Sequence, residues 1–432
     1  MLNPAIAKSV EQLSYRVTVG DVAAQAGLDV NIAQQGLLAL ASEAGGHLQV
    51  AETGEIVYLF PRNFRSILRN KYWRIRLREW WDRVWRVLFY IIRVSFGIVL
   101  IASILIMVVA IAAIFIAMNS SRDSDNRSDY GGRSYGGGGF FFLPRFWLGP
   151  ELFWFFSPNY GTQRQRRRSA PSSQMNFFEA IFSFLFGDGN PNLDLEERRW
   201  QEIGTVIRNS GGAVVAEQIA PYLDINNAED EDYILPVLSR FNGYPEVSPR
   251  GEIVYYFPEL QVSANRRRSQ PVSAYLREQT WRFSQAGSNQ ITLAVGLGAA
   301  NFILALVLGS LLRDGTVAQL GGFFALVASL YWLLLGYGTA FLVIPLVRYF
   351  WIQGQNSRIE ARNHKRQARA VALNEADTAL RRKINYARQF ASEKVIGAED
   401  ITYSTETDLI DQELENSDKI DAEWRRRLES GS

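Results

Sequence analysis

Three runs of the chain lack charge over a length that spans lipid. Val94 to Ser121 (VSFGIVLIASILIMVVAIAAIFIAMNSS) holds 28 residues without Asp, Glu, Lys or Arg, and a helix needs about 20 apolar residues to cross the hydrocarbon core. Ile291 to Leu312 is a second run, and Gly321 to Val347 a third, with Pro345 near its end. The connector between the last two carries only Arg313 and Asp314, so they read as a transmembrane hairpin over 291–312 and 317–347. Gly296, Gly298, Gly309, Gly336 and Gly338, with Ala299 and Ala300, allow close backbone approach between such helices. The first run starts too late in the chain for a signal peptide.

Two further apolar stretches have a different character. Phe140 to Phe156 is rich in aromatic residues but holds Pro144, Arg145, Gly149, Pro150 and Glu151. An interfacial or re-entrant element is expected there, because aromatic rings favour the headgroup level. Met175 to Gly187 (MNFFEAIFSFLFG) is too short to span and reads as an amphipathic foot.

Elsewhere the periodicity alternates between helix and strand, and it does so twice. From Asp21 the chain reads DVAAQAGLDVNIAQQGLLALASEAGGHLQVAETGEIVYLFP; from Gln218 it reads QIAPYLDINNAEDEDYILPVLSRFNGYPEVSPRGEIVYYFP. The two align without a gap at a spacing of 197 residues, with Leu38/Leu235, Ser42/Ser239, Gly46/Gly243 and the GEIVY-x-FP run identical. An internal repeat follows. Each unit predicts a short helix, a turn, a second helix stopped by glycine, and a hairpin of two strands. Further helical sequence lies upstream, at Ala5 to Ser14 and Leu195 to Asn209. That order is the winged-helix arrangement. The expected fold is therefore a mainly α integral membrane protein, with two winged-helix (α+β) repeats and at least three transmembrane helices.

The expected organisation is as follows. The first winged-helix module covers 1–61 and a basic amphipathic helix 62–93. A transmembrane helix covers 94–121, and a Gly-, Arg- and aromatic-rich linker 122–192. The second module covers 193–258 and a basic linker 259–290. The hairpin helices cover 291–312 and 317–347, and a charged helical tail 348–432. The tail helix reads as a solvated face or a partner-docking arm.

Charge adds topology. Arg62 to Arg93 holds ten basic residues against Glu79 and Asp82, and the positive-inside rule puts that flank on the cytoplasmic side. Basic residues also flank the hairpin on both sides, Arg266–Arg268, Arg277 and Arg282 before it and Arg348 to Arg369 after it. A single crossing at 94–121 would leave residue 265 on the far side, so a return through the aromatic stretch of 140–187 is expected. Trp73, Arg74, Arg76, Trp80, Trp81, Arg83, Trp85 and Arg86 then anchor the chain at an anionic lipid surface. Arginine mixed with aromatic residues also binds single-stranded nucleic acid, but the place directly before a spanning helix favours lipid.

Charge also tests whether the modules read DNA. Residues 1–61 hold two basic and six acidic residues; residues 193–258 hold five basic and twelve acidic. A DNA reader needs lysine or arginine against phosphate. The second helix of the first module has none. That of the second module starts with Glu229, Asp230, Glu231 and Asp232, which also suit a helix N-terminus. Nucleic acid is disfavoured and protein docking is the expectation, with Tyr58, Tyr255 and the four carboxylates as candidate contacts.

No catalytic constellation is present in the sequence. The absence of cysteine excludes disulfides, thiolate metal sites and a cysteine nucleophile, and the chain holds two histidines, His47 and His364. The run GGRSYGGGG lacks the Lys-Ser/Thr of a phosphate loop. FGDGNPN has turn composition without calcium-loop spacing. Almost no ionisable residue lies within the spans, which argues against an ion pathway. No enzyme activity, cofactor or metal is expected.

The stretch FFEAIFSFLFGDGNPNLDLEERRW, followed by GTVIRNSGGAVVAEQIAPYLD, resembles a family of cyanobacterial thylakoid membrane proteins with chloroplast relatives in plants. The resemblance covers most of the chain, including both GEIVY-x-FP units. Plant relatives carry an iron–sulfur cluster biosynthesis label, which is not carried over to a chain without thiolates. The resemblance implies a thylakoid protein that helps assemble a photosynthetic electron-transfer complex, such as the cytochrome complex between the photosystems. The combined expectation is a non-enzymatic membrane scaffold or assembly factor, with the bilayer and a membrane or cytoplasmic protein client as partners. A membrane-tethered winged-helix transcription regulator is the alternative.

Overall fold

The computed structural model describes residues 3–71, 73–122, 175–225, 231–265, 269–313 and 322–408, with individual positions beyond. The Gly-rich and aromatic piece from 123 to 174, Glu229, Asp230, Arg266–Arg268 and most of the hairpin connector lie outside the described residues. The fold is mostly helical, and it divides into two units. One holds Met1–Trp80, Pro191–Thr280 and Ser357–Ser432; the other holds Trp81–Asn190 and Trp281–Asn356.

The first unit begins with α1 (Pro4–Gln12), β1 (Arg16–Thr18), α2 (Val19–Ala26), α3 (Val30–Ala44), β2 (His47–Ala51) and β3 (Ile56–Leu59). Local chemistry sets these bounds. Thr18 and Asp21 form a capping box at the start of α2, and Gly27 ends it in the left-handed conformation. Asp29 caps α3, which Gly45 closes in the same way. Next come α4 (Phe64–Lys71) and α5 (Trp73–Arg122).

The same order returns after α6 (Phe177–Phe186): α7 (Leu195–Asn209), β4 (Ala213–Val214), α8 (Ala216–Ile219), α9 (Leu235–Phe241), β5 (Tyr244–Val247) and β6 (Ile253–Tyr256). Strand order is β1-β3-β2 in the first sheet and β4-β6-β5 in the second. Registers coincide at the 197-residue spacing: Val17 faces Tyr58 and Val214 faces Tyr255, while Val50 faces Ile56 and Val247 faces Ile253. Core positions coincide too. Ile6 and Ile203, Val10 and Ile207, Leu37 and Ile234, Leu40 and Val237, and Phe60 and Phe257 are all buried in one shared cluster.

The rest of the unit is α10 (Pro258–Gln261), β7 (Val262–Ser263) and the later part of the chain. The second unit contributes α11 (Ser288–Leu312), and then α12 (Phe323–Asn374) follows. The last elements are α13 (Thr378–Ala387), β8 (Lys394–Val395) and β9 (Ile401–Ser404). The expectation of a solvated helical tail is corrected here. Leu380, Ile384 and Ala387 of α13 pack on Val215 and Val254. Strand β8 pairs parallel with β7, and β9 joins the first sheet beside β2. Two helix boundaries also move. The basic segment from Trp73 onward and the first apolar run form one helix, α5, and α12 continues through Pro345 to Asn374. The transition at Arg93–Val94 carries no proline, and at the second transition the helix runs on through Pro345.

Among the described residues three helices are long and apolar enough to cross a membrane: Trp80–Met118, Ser288–Leu312 and Phe323–Asn374. In the second unit they pack through Met107, Ala110 and Ile114, Ala305 and Leu308, and Val327 and Leu334. Gly298, Gly309 and Gly338 sit at helix contacts; a Cβ at Gly309 would stand 2.2 Å from the Tyr331 hydroxyl. Gly296 and Gly336 meet nothing within 4 Å, so close packing does not explain them. Polar contacts also join these helices: Asn301 Nδ2 donates to Ser103 Oγ at 2.7 Å, and the Tyr337 hydroxyl donates to the Phe96 carbonyl at 2.9 Å. The short α6 lodges Phe177, Ile181 and Phe184 against Leu100, Ala294 and Phe341.

Candidate functional site

The expected lipid contacts lie on α5. Trp73, Arg74 and Arg76 belong to its first turns. Trp80, Trp81 and Trp85 are exposed, as are Arg83 and Arg86. They occur together with exposed Val87, Leu88, Phe89, Tyr90 and Ile91. This grading from arginine and tryptophan into aliphatic side chains is the composition of a headgroup-to-hydrocarbon transition.

The expected docking tyrosines are elsewhere. Tyr58 is 2% and Tyr255 4% exposed, so neither presents a surface to a partner. Each stands in an inner strand of its sheet, where both faces are covered. Burial pushes the Tyr58 phenol up from its ordinary value. The Tyr255 hydroxyl donates to Glu231 at 2.8 Å; burial first, then this bond and the charge of Glu231, push its pKa up strongly.

Glu231 is partly buried and bonded within the chain. Lys383 Nζ, from α13, lies 2.7 Å from Glu231 and 2.9 Å from Glu217. Burial alone would lower the Lys383 pKa, but the two carboxylates outweigh it and hold it above the ordinary lysine value. Asp232 is exposed. Of the four carboxylates proposed as a docking cluster, Glu231 is thus spent on an internal bond and Asp232 faces solvent, while Glu229 and Asp230 lie outside the described residues.

A second charged network was missed in the sequence. Arg366, 1% exposed, sits 2.9 Å from Glu278 and also pairs with Asp224. Arg362 forks onto Glu278 with bonds of 2.8 and 2.6 Å. Burial would raise both carboxylates, but the guanidinium groups of Arg362 and Arg366 outweigh it and hold both below the usual range. Asn363 adds a bond of 2.9 Å to the Glu278 backbone. A signal did exist: Glu278 is the one carboxylate between Arg266 and Arg282. A second buried carboxylate, Asp21, accepts from the Thr18 and Ala264 backbone N–H groups at 3.0 Å each and pairs with Arg208.

The outward face of α3 is uncharged. On α3 the exposed positions are Asn31, Ile32, Gln34, Gln35, Leu38, Ala39 and Ser42. Leu38 is 53% exposed, and its counterpart Leu235, on α9, is 57% exposed. Pro236 and Ser239 lie beside Leu235 and are also exposed. Such faces offer shape and apolar contact, and no phosphate ligand. Among the described residues no group of three or more His, Asp or Glu side chains could hold a metal ion.

The chain is similar to an uncharacterised chloroplastic protein of Arabidopsis thaliana, with 41% identity over 437 residues covering 97% of this chain and 81% of that protein. No family model matches the chain, and no solved structure matches it. The relative's name mentions neither iron–sulfur chemistry nor a cyanobacterial source.

Proposed function

The chain belongs to the family of that chloroplast protein, and from this premise we propose that it is a non-enzymatic scaffold or assembly factor anchored in a photosynthetic membrane. We read its two modules as duplicated winged helices that dock protein. The support for that reading is the repeated order of helix, strand, two helices and hairpin, with equal registers at a 197-residue spacing. The thylakoid is the proposed membrane, with the modules on its cytoplasmic side, since the basic flanks of the spans favour that side.

The observation that carries the docking role is the uncharged outward face of α3, with Leu38 and Leu235 exposed at equivalent places. A leucine in water at both places has no role in its own core, and an apolar partner surface would bury it at a gain of about 1.5–3 kcal/mol when fully covered. A nucleic-acid role would require basic side chains on that face.

The test is affinity purification of the tagged full chain from native membranes, followed by mass spectrometry. A client held by the native chain and lost with Leu38→Glu/Leu235→Glu supports the reading. Salt-sensitive retention of random duplex DNA, with no client, overturns it in favour of a membrane-tethered regulator.

A further inference from the structure

The outer edges of the two sheets are treated in opposite ways. The hairpins are bonded alike: Ala51 N donates to Glu55 O at 2.9 Å and Ser248 N to Glu252 O at 2.8 Å, while Gly54 N reaches Ala51 O and Gly251 N reaches Ser248 O, both at 2.9 Å. In an antiparallel ladder, inward and outward backbone groups alternate. Residues 48, 50 and 52 therefore turn outward in the first module, and 245, 247 and 249 in the second.

In the first module the outward groups are used by the chain's own C-terminal region. Leu48 N donates to Thr405 Oγ1 at 2.9 Å. Thr405 N donates to Leu48 O at 2.9 Å, and Glu52 N to Asp400 O at 3.1 Å. Val50 stands opposite Tyr403. In the second module the positions matching Leu48 and Glu52 are Pro245 and Pro249. Both outward N–H donors are gone there, and proline on an edge strand blocks strand addition. The Val247 carbonyl faces the Tyr386 hydroxyl at 3.5 Å instead.

The strand on the first module is lightly held. It makes three residue pairs, with a register shift between Val50 and Ala51. Thr402, Tyr403 and Thr405 are exposed, and only Ile401 packs into the small cluster of Ala51, Val57, Ala264 and Ile396. We infer that the β2 edge is a strand-acceptor site, that residues 400–405 are its ligand within the chain, and that this strap gives way to an extended segment of a client protein with the same chemistry. That segment carries β-branched or aromatic residues matching Ile401 and Tyr403 and a hydroxyl matching Thr405, and it adds to the sheet by backbone pairing. The inference deepens the docking reading by naming what a client presents to the first module.

The test uses the full chain in nanodiscs and a labelled peptide with the sequence of residues 398–407, AEDITYSTET. Thr405→Pro removes the N–H and the hydroxyl that hold the strap. Leu48→Pro/Glu52→Pro copies the second module's proline pair into the first, at positions where that backbone already tolerates proline. With Thr405→Pro, exchange of the Leu48 and Glu52 amides should quicken about tenfold. The peptide should bind about tenfold more tightly than to the native chain, whose site is competent only while uncovered. Thr405→Val, which keeps the N–H, should fall between them. Leu48→Pro/Glu52→Pro should free the strap and bind no peptide. Unchanged exchange in Thr405→Pro, or peptide binding that survives the proline pair, overturns the inference. Second-module amides, unchanged in every variant, report that the fold is intact. Client capture through Leu38 and Leu235 is scored separately, so either idea can fail alone.

Discussion

Arg366→Ala removes a cation that is 1% exposed and whose partner Glu278 is 5% exposed on its side chain. The variant takes from Glu278 a contact of 2.9 Å and from the Leu276 carbonyl a donor at 3.0 Å. Breaking a buried pair by truncating one side costs roughly 3–5 kcal/mol, because the remaining charge is stranded. Two features set the size here. Arg362 stays on Glu278 with its forked bonds, so the carboxylate is not wholly orphaned. Asp224, half-exposed, adds little beyond its screened attraction. The expected loss is therefore at the low end, about 3 kcal/mol. Arg366→Met refills the stem's space and should recover about 1 kcal/mol of cavity cost. Arg366→Met/Glu278→Gln should be less damaging than the sum of its single changes, which a double-mutant cycle reads directly. The assay is urea unfolding of the full chain in detergent, with hydrogen exchange around residues 276–278 and 360–370 to localise the effect. Lys365→Ala, at an exposed neighbour, is the control. If Arg366→Ala shifts the transition no further than that control, the network carries no stability and the reasoning fails.

Three other outcomes follow from named contacts. Lys383 and Tyr255 both have folded pKa values above the ordinary 10.5 and 10.0; such groups contribute stability that is complete below those values and lost as pH rises beyond them. Unfolding measured from pH 8 to 12 should thus show stability falling above about pH 10, with the slope reduced by Tyr255→Phe; an equal slope in that variant refutes the assignment. Gly20→Ala would place a Cβ 1.8 Å from the Glu259 carbonyl oxygen, a backbone atom, so overpacking should cost about 1–3 kcal/mol in urea unfolding. A variant as stable as the native chain would show that the α2–α10 approach is looser than described. Asn301→Leu removes the bond to Ser103 and should lower bundle stability in micelles by about 1 kcal/mol; no change would mean that packing alone sets the helix register.

Much of the architecture was legible for local reasons. Charge-free runs mark the three candidate spans, Gly27 and Gly45 mark helix ends, and GEIVY marks the hairpins. The two tyrosines were misplaced because strand alternation assumes one wet face. In β3, Val57 packs with Ala51, Ala264 and Ile396 while Tyr58 enters the main core, so both faces are dry. The tail was misread because its partners are remote in sequence. Lys383 meets Glu217 across 166 positions, and Thr405 meets Leu48 across 357. Neither contact leaves a periodic trace. The boundary errors at α5 and α12 have one cause: a change of solvent was taken for a change of element, whereas a helix continues through both.

These contacts also change the reason for expecting no nucleic acid on the modules. The excess of acids over bases in 193–258 looked like a repulsive surface. Glu217 and Glu231 are bonded by Lys383, and Asp224 by Arg366 and Arg199, so part of that excess is neutralised within the chain. Net charge therefore overstates the field that a partner meets. The outward face of α3 carries neither the lysine and arginine that phosphate requires nor the carboxylates that would repel it. A surface of that kind discriminates by fit and by apolar area, and such contacts are insensitive to the screening that governs charge. Client retention that survives high salt is what this face implies, and it distinguishes docking there from capture by the arginine-rich part of α5, which salt weakens.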